Sequence, residues 1–170
     1  MSERLKQIGL DRLVRLAWLE KVSTLVLAAN DTKTIKSILQ DELAGAFRSA
    51  NKDVRGSLDK TITILLKIWL QPPKNLKSLR DEGLELLKRN SSVERMVIHW
   101  GMISAVYPFW SSVAAQIGRL LRLQGTVTSV QIQRRIREQY GERETVSRRA
   151  RYIIRSFLDW GVLLETERKG

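Results

Sequence analysis

The stretch that decides the fold lies near the end of the chain, at residues 126–166: TVTSVQIQRRIREQYGERETVSRRARYIIRSFLDWGVLLET. Its pattern predicts a short strand, a helix, a tight turn, a second helix and another strand. The first strand is favoured by β-branched residues and the second by an apolar run after a glycine. The two strands are predicted at Thr126–Val127 and Val162–Thr166.

Local signals set the limits of the two helices. Thr128 and Gln131 have the spacing of a capping box, in which each satisfies a backbone N–H of the other at the start of a helix. Gly141 ends that helix, because glycine accepts backbone angles that other residues avoid. Thr145 is then expected to cap the second helix.

The second helix of this stretch has two contrasting faces. One narrow sector of its helical wheel is apolar and the opposite sector is basic, which predicts a core seam backed by a charged surface. The apolar sector holds Val146, Ala150, Ile153 and Phe157. The basic sector holds Arg148, Arg151, Tyr152 and Arg155.

Arginine dominates the charge of this part of the chain. Residues 115–170 hold 11 arginines, one lysine and six acidic residues, a local net charge of +6. The guanidinium fork matches both phosphates and base edges, so the pattern favours nucleic-acid contact. Ser147, Arg148 and Arg151 are expected to reach base edges or phosphates. The full set of candidate contact residues is Arg134, Arg135, Ser147, Arg148, Arg151, Tyr152 and Arg155.

Residues 110–166 resemble the winged helix-turn-helix superfamily. A support helix with an apolar stripe, then strand, helix, glycine turn, helix and the sequence LDWGVL follow in that family's order. The resemblance implies that the second motif helix enters the major groove of DNA. Only residues 167–170 follow the predicted wing strand, so we expect a truncated wing or one that pairs with Thr126–Val127 alone.

Helical periodicity dominates the first 107 residues. We expect five helices there: from Arg12, capped by Asp11, to about Ala29; then to about Phe47; from Asn51 to Pro72–Pro73; from Leu76 to Arg89; and from Ser91, boxed by Glu94, to Tyr107. Leu79, Leu84, Leu86 and Leu87 are predicted to face inward in the fourth helix. A sixth helix is expected from Pro108 to Gln124, ended by Gly125.

The predicted fold is therefore all-α, mainly helical, with a short β element. A helical bundle at 1–107, serving interaction or dimerisation, packs on a winged helix-turn-helix-like module at 108–170.

Composition narrows the chemistry. The chain has 170 residues, no cysteine, one histidine and a formal net charge of +12. Disulfides, thiolate metal sites and thiol nucleophiles are excluded. His99 lies in an apolar run without a nucleophile at a recognisable spacing, so we expect a structural histidine. We predict no enzyme, no metal and no cofactor, and a cytoplasmic location without membrane association, since MSERLKQIGLDR lacks the apolar core of a secretory signal.

These features favour a non-catalytic DNA-binding protein, a regulator or an accessory subunit of a DNA-processing or defence system. The expected partners are duplex DNA and a second copy or a larger protein complex. Two alternatives stay open: a structural adaptor whose basic face binds an acidic protein, and an RNA-binding protein with the same surface.

Overall fold

The protein is all-α over the residues described by the computed structural model, 8–47 and 54–166. These residues form eight α-helices and no strand. The helices are α1 Leu16–Leu27, α2 Thr32–Leu43, α3 Val54–Trp69, α4 Lys77–Arg89, α5 Ser92–Val106, α6 Pro108–Gln124, α7 Ser129–Tyr140 and α8 Glu144–Asp159. Short 3-10 turns occupy Ala44–Phe47 and Lys74–Leu76. The predicted all-α class is confirmed, and the predicted third-helix start at Asn51 lies outside the described residues.

The described chain divides into two compact units. One consists of residues 16–102, and the other joins residues 8–15 to residues 103–166. The division falls inside α5, a few residues before the boundary expected at 107/108, and it assigns 8–15 to the unit that holds α6, α7 and α8.

The unit at 16–102 is built around α1, α2 and α3. Asp31 caps α2, because its side chain accepts the backbone N–H groups of Lys33 and Thr34 at 2.8 and 3.0 Å. α3 carries the largest core residues and ends at Trp69, just before Pro72–Pro73, as predicted. The fully buried residues of α2 and α3 include Ile35, Leu39, Ile62, Leu65, Ile68 and Trp69.

The predicted start of the first helix at Arg12 is wrong, and Asp11 caps no helix. α1 begins only at Leu16. The backbone of Val14 is used elsewhere: its N–H donates to Ser156 Oγ at 3.0 Å, and its carbonyl accepts Trp160 Nε1 at 2.9 Å. These bonds to α8 and its end replace the helical ones.

Two predicted core positions in α4 face solvent instead. Leu79 and Leu86 are 44% and 49% exposed, whereas Leu84 and Leu87 are buried, as expected. The inward stripe of α4 runs through Gly83, where an added Cβ would lie 3.1 Å from Trp69 Cη2. The helix approaches the tryptophan through this glycine, which leaves the other two leucines on its flank.

The second unit centres on α6. Pro108 occupies the first turn of α6, and Gly125, with φ of 74°, follows its last residue, so the limits predicted for this helix are confirmed. The Trp110 ring centroid lies 4.7 Å from that of Phe157 and 5.1 Å from that of Trp160. These aromatic contacts hold α8 and its C-terminal end against α6.

The two predicted strands are absent from the described residues. After α8 the N–H groups of Val162 and Leu163 both donate to the carbonyl of Phe157, at 2.9 and 3.2 Å. Backbone donors that close the end of a helix are not available to a strand partner. The other strand site, Thr126–Val127, leads directly into the N-cap of α7.

None of the helices within 8–47 and 54–166 has the length and apolar character needed to span a bilayer. The long low-charge run at residues 97–115 is interrupted at Tyr107, where α5 gives way to α6.

Candidate nucleic-acid interface

The candidate interface is built on α7, a three-residue turn and α8. The predicted capping box of α7 is confirmed: Gln131 N–H donates to Thr128 Oγ1 at 3.2 Å, and Thr128 N–H donates to Gln131 Oε1 at 2.9 Å. Gly141 ends α7 with φ of 96° and ψ of 154°, a region that is open almost only to glycine. The turn is therefore fixed by local sequence.

The cap predicted for α8 is wrong. The helix begins at Glu144, one residue before the expected cap Thr145, and the N-cap residue Arg143 makes no side-chain cap bond. An acidic residue in the first turn complements the positive end of the helix dipole. Glu144 thus supplies favourable electrostatics where a hydroxyl cap was expected.

The apolar sector of α8 is confirmed as a core seam. All four predicted residues, Val146, Ala150, Ile153 and Phe157, are at most 1% exposed. On α7, Ile132 and Ile136 are buried as well. This seam fixes which side of α8 turns to solvent.

Ser147 is a wrong assignment among the predicted contact residues. It is only 2% exposed, and its Oγ accepts a hydrogen bond from Arg137 Nη1 at 3.3 Å. Successive residues are about 100° apart on a helix, so Ser147 falls beside Val146 at the edge of the seam. Its hydroxyl ties α8 to α7 and cannot reach a ligand.

Three of the four arginines of α8 form an exposed row, called the arginine stripe below: Arg148, Arg151 and Arg155. Residues at this spacing share one helix face and extend over about 10 Å of its length. Tyr152 lies beside the stripe and is half-buried.

The three arginines of the stripe differ in their partners. Arg151 Nη2 lies 2.8 Å from Glu144 Oε1, in an ion pair along the exposed face. Arg148 and Arg155 form no ion pair or hydrogen bond with any residue that the structure describes. Two of the three guanidinium groups are therefore exposed and have no compensating carboxylate among the described residues.

Arg134 and Arg135 are exposed on α7, but they share one carboxylate. Arg134 Nε lies 3.2 Å from Glu138 Oε1, and Arg135 Nη1 lies 3.0 Å from Glu138 Oε2. The hydrogen bond from Arg135, followed by the charge of both arginines, holds the pKa of Glu138 below its usual value. This carboxylate offsets part of the positive charge predicted for α7.

Sequence reasoning missed two further arginines. Arg119 and Arg122 on α6 are exposed, and within the described residues neither has an ion-pair or hydrogen-bond partner. The sequence could have indicated them, because both lie outside the apolar stripe of the predicted support helix. They extend the basic surface of this unit beyond the arginine stripe.

His99 belongs to a buried cluster in the other unit. Trp69 Nε1 donates to its Nδ1 at 3.0 Å, and its Nε2 lies 3.1 Å from Glu20 Oε1. Burial lowers the pKa of His99 to about 4, against the opposing effect of the Glu20 carboxylate. Both ring nitrogens face partners and the side chain is fully buried, as expected for a structural histidine.

No set of three or more potential metal ligands converges in residues 8–47 and 54–166.

No protein-family model matches this chain, and no curated protein or solved structure matches it either.

Proposed function

We propose that the chain is a non-catalytic DNA-binding protein, a regulator or an accessory subunit of a DNA-processing or defence system, with α8 as its recognition helix. The observation that supports this proposal is that Arg148 and Arg155 are exposed, and without a partner among the described residues, on a helix whose opposite face is buried. The winged helix-turn-helix resemblance supplies the docking geometry, in which this helix lies in the major groove.

The ion pairs of the candidate arginines determine how readily each of them can contact DNA. Arg148 and Arg155 have no ion-pair partner within residues 8–47 and 54–166 that phosphate would have to displace, whereas Arg151 must first release Glu144. Arg134 and Arg135 must compete with Glu138 in the same way. We therefore assign the primary contacts to the two unpartnered arginines and secondary contacts to the other three.

Duplex DNA suits this surface better than duplex RNA. The major groove of B-form DNA is about 12 Å wide and admits an α-helix, whereas the major groove of A-form RNA is too narrow for side chains to read. The stripe is carried by the convex side of one helix, which is a shape that a wide groove accepts.

The test is a salt titration of binding to a short fluorescent DNA duplex. Each phosphate contact contributes a slope of about −0.9 to the log–log plot of affinity against salt. The double variant Arg148→Ala/Arg155→Ala should lower affinity at low salt by about tenfold or more and reduce the slope by about 1.8.

The matched control is Arg119→Ala/Arg122→Ala, which removes the same charge from α6 of the same unit. A smaller loss in this control supports α8 as the recognition helix, and an equal loss contradicts that assignment. No duplex binding at low salt overturns the DNA proposal, and preference for structured RNA in competition favours the RNA alternative.

A further inference from the structure

We propose that a groove between α6 and α7 is a second interaction site, which docks an acidic amphipathic helical segment of a partner protein. The groove has a volume of about 490 Å³ and lies within the unit of α6, α7 and α8. Its lining includes Gln116, Arg119, Leu120, Leu123, Arg135 and Gln139. This α6/α7 groove is separate from the primary DNA contacts proposed above, Arg148 and Arg155, and shares only Arg135 with the secondary ones.

The groove exposes a large apolar side chain. Leu123, in the C-terminal turn of α6, is 83% exposed, whereas the buried residues of this helix end at Ile117. Leu120, one turn earlier, is half-buried in the same groove. Burying such a leucine against a partner removes apolar surface from water and favours binding.

Positive charge surrounds these leucines. Arg119 lines the groove without an ion-pair partner among the described residues, and the exposed Arg122 follows on the same helix. Arg135 lines the opposite wall, where Glu138 is the single carboxylate and is shared with Arg134. The charge of the walls is therefore net positive.

Two amide side chains bridge the groove. Gln116 Nε2 donates to Gln139 Oε1 at 3.3 Å, near the long end of the hydrogen-bond range. Both amides are able to exchange this bond for one to a bound ligand. They add polar contacts to a site that otherwise combines leucine and arginine.

The exposed leucines and the arginines of the α6/α7 groove together indicate which kind of partner binds there. Exposed leucine contributes nothing to phosphate binding, so a nucleic-acid backbone leaves the apolar part of the groove unused. An amphipathic helix places apolar anchors three and four residues apart and carries acidic residues beside them. The apolar residues of such a segment contact the leucines, and its acidic residues pair with the arginines.

The groove and the arginine stripe lie on different sides of the unit that holds α6, α7 and α8. On α7, Arg135 and Gln139 face α6, whereas Arg137 faces the other way and donates to Ser147 of α8. A partner in the groove therefore leaves the stripe accessible. The two sites can be tested independently.

The experiment selects ligands from a random peptide library displayed on phage, using the full chain as bait. We expect enriched peptides that combine acidic residues with apolar residues at helical spacing. Their affinities are then measured by fluorescence anisotropy with synthetic labelled peptides, so that the groove variants can be compared.

The decisive variant is Leu123→Ser, which changes no charge and, at 83% exposure, removes no core contact. It should weaken the selected peptides by about tenfold. Arg119→Glu should lower peptide affinity by more than Leu123→Ser does, because it reverses a charge in the groove. Arg148→Ala/Arg155→Ala is the control and should leave their affinity within about twofold, since the stripe lies on the other flank.

Four results overturn the proposal. The first is enrichment of peptides without the acidic amphipathic pattern. The second is peptide affinity that Leu123→Ser leaves unchanged. The third is a loss of duplex DNA binding in Leu123→Ser with peptide binding intact, which assigns the groove to nucleic acid. The fourth is self-association of the chain that Leu123→Ser abolishes in sedimentation, which makes a second copy the occupant. Failure of duplex binding alone overturns only the DNA proposal.

Discussion

Arg95 in the unit at 16–102 and the arginines of the stripe in the other unit have different surroundings. In the unit at 16–102, Arg95 is half-buried, and its Nε lies 3.1 and 3.0 Å from the two carboxylate oxygens of Glu20. The same side chain donates to the carbonyl of Leu87. In the other unit, Arg148 and Arg155 are exposed and have no partner among the described residues.

This difference separates structural charge from charge available to a ligand. A charge that is withdrawn from water needs a partner, because its desolvation is otherwise uncompensated. A charge on the outer face of a helix has no such need. Net charge does not reveal the distinction, since residues 1–114 and 115–170 each carry a surplus of +6.

The buried cluster should make folding sensitive to acid. The folded protein keeps His99 neutral down to a pKa of about 4, whereas the ordinary value is 6.5. The unfolded chain therefore takes up the proton first, and stability that is present above pH 6.5 is lost as the pH falls toward 4. The full shift corresponds to about 3 kcal/mol. Urea unfolding at a series of pH values measures this loss.

His99 is the only histidine, which makes the interval between pH 6.5 and 4.5 diagnostic. Burial by itself raises the pKa of Glu20, but Arg95 and His99 together bring it below its usual value of 4.5, so Glu20 contributes below this interval. In His99→Gln the slope within the interval should disappear. An unchanged slope in that variant would contradict the assignment.

Removing the arginine of this cluster should have the next largest effect. Arg95→Met keeps the length of the side chain but leaves the partly buried carboxylate of Glu20 without its main donor. We expect a loss of about 2 kcal/mol in the free energy of unfolding. The matched control Arg89→Met, at an exposed pair with Glu85, should change stability by less than about 0.5 kcal/mol. An equal loss of stability in Arg95→Met and Arg89→Met would contradict the distinction between half-buried and exposed arginines.

The fold was predictable where the signal is local. Pro108, Gly125, the box of Thr128 with Gln131, and Gly141 each act through their own backbone angles or neighbouring N–H groups. The limits of α6 and α7 follow from them. The same reasoning failed at Asp11, because the nearby backbone is bound to residues about 140 positions later in the chain.

The candidate site was predictable in outline only. The wheel of α8 identified the buried seam and the exposed arginines, because both depend on helical spacing alone. It did not show that Ser147 turns toward Arg137, nor that Glu144 pairs with Arg151 across seven residues. Partner choice among nearby charges depends on side-chain conformations that spacing does not determine.

The turn between α7 and α8 determines where α8 and its arginine stripe lie. The conformation of this turn depends on Gly141. Gly141→Ala should cost about 1–2 kcal/mol of stability, because its φ of 96° and ψ of 154° strain any side chain. Gly118→Ala is the matched control: Gly118 lies within α6 and an added Cβ meets nothing within 4 Å. That control should be neutral or gain about 0.5–1 kcal/mol. Thermal or urea unfolding distinguishes the two.

The smallest expected effect is a gain in binding. Glu144→Gln removes the carboxylate that pairs with Arg151, so the third guanidinium of the stripe becomes available to phosphate. An exposed ion pair contributes about 0.2–1 kcal/mol, which corresponds to a rise in duplex affinity of about 1.4-fold to fivefold. The control Glu85→Gln changes the net charge equally, but its carboxylate pairs with Lys88 on α4 of the other unit. A rise confined to Glu144→Gln attributes the gain to the stripe, whereas equal rises show that binding follows net charge and remove the distinction between paired and unpaired arginines.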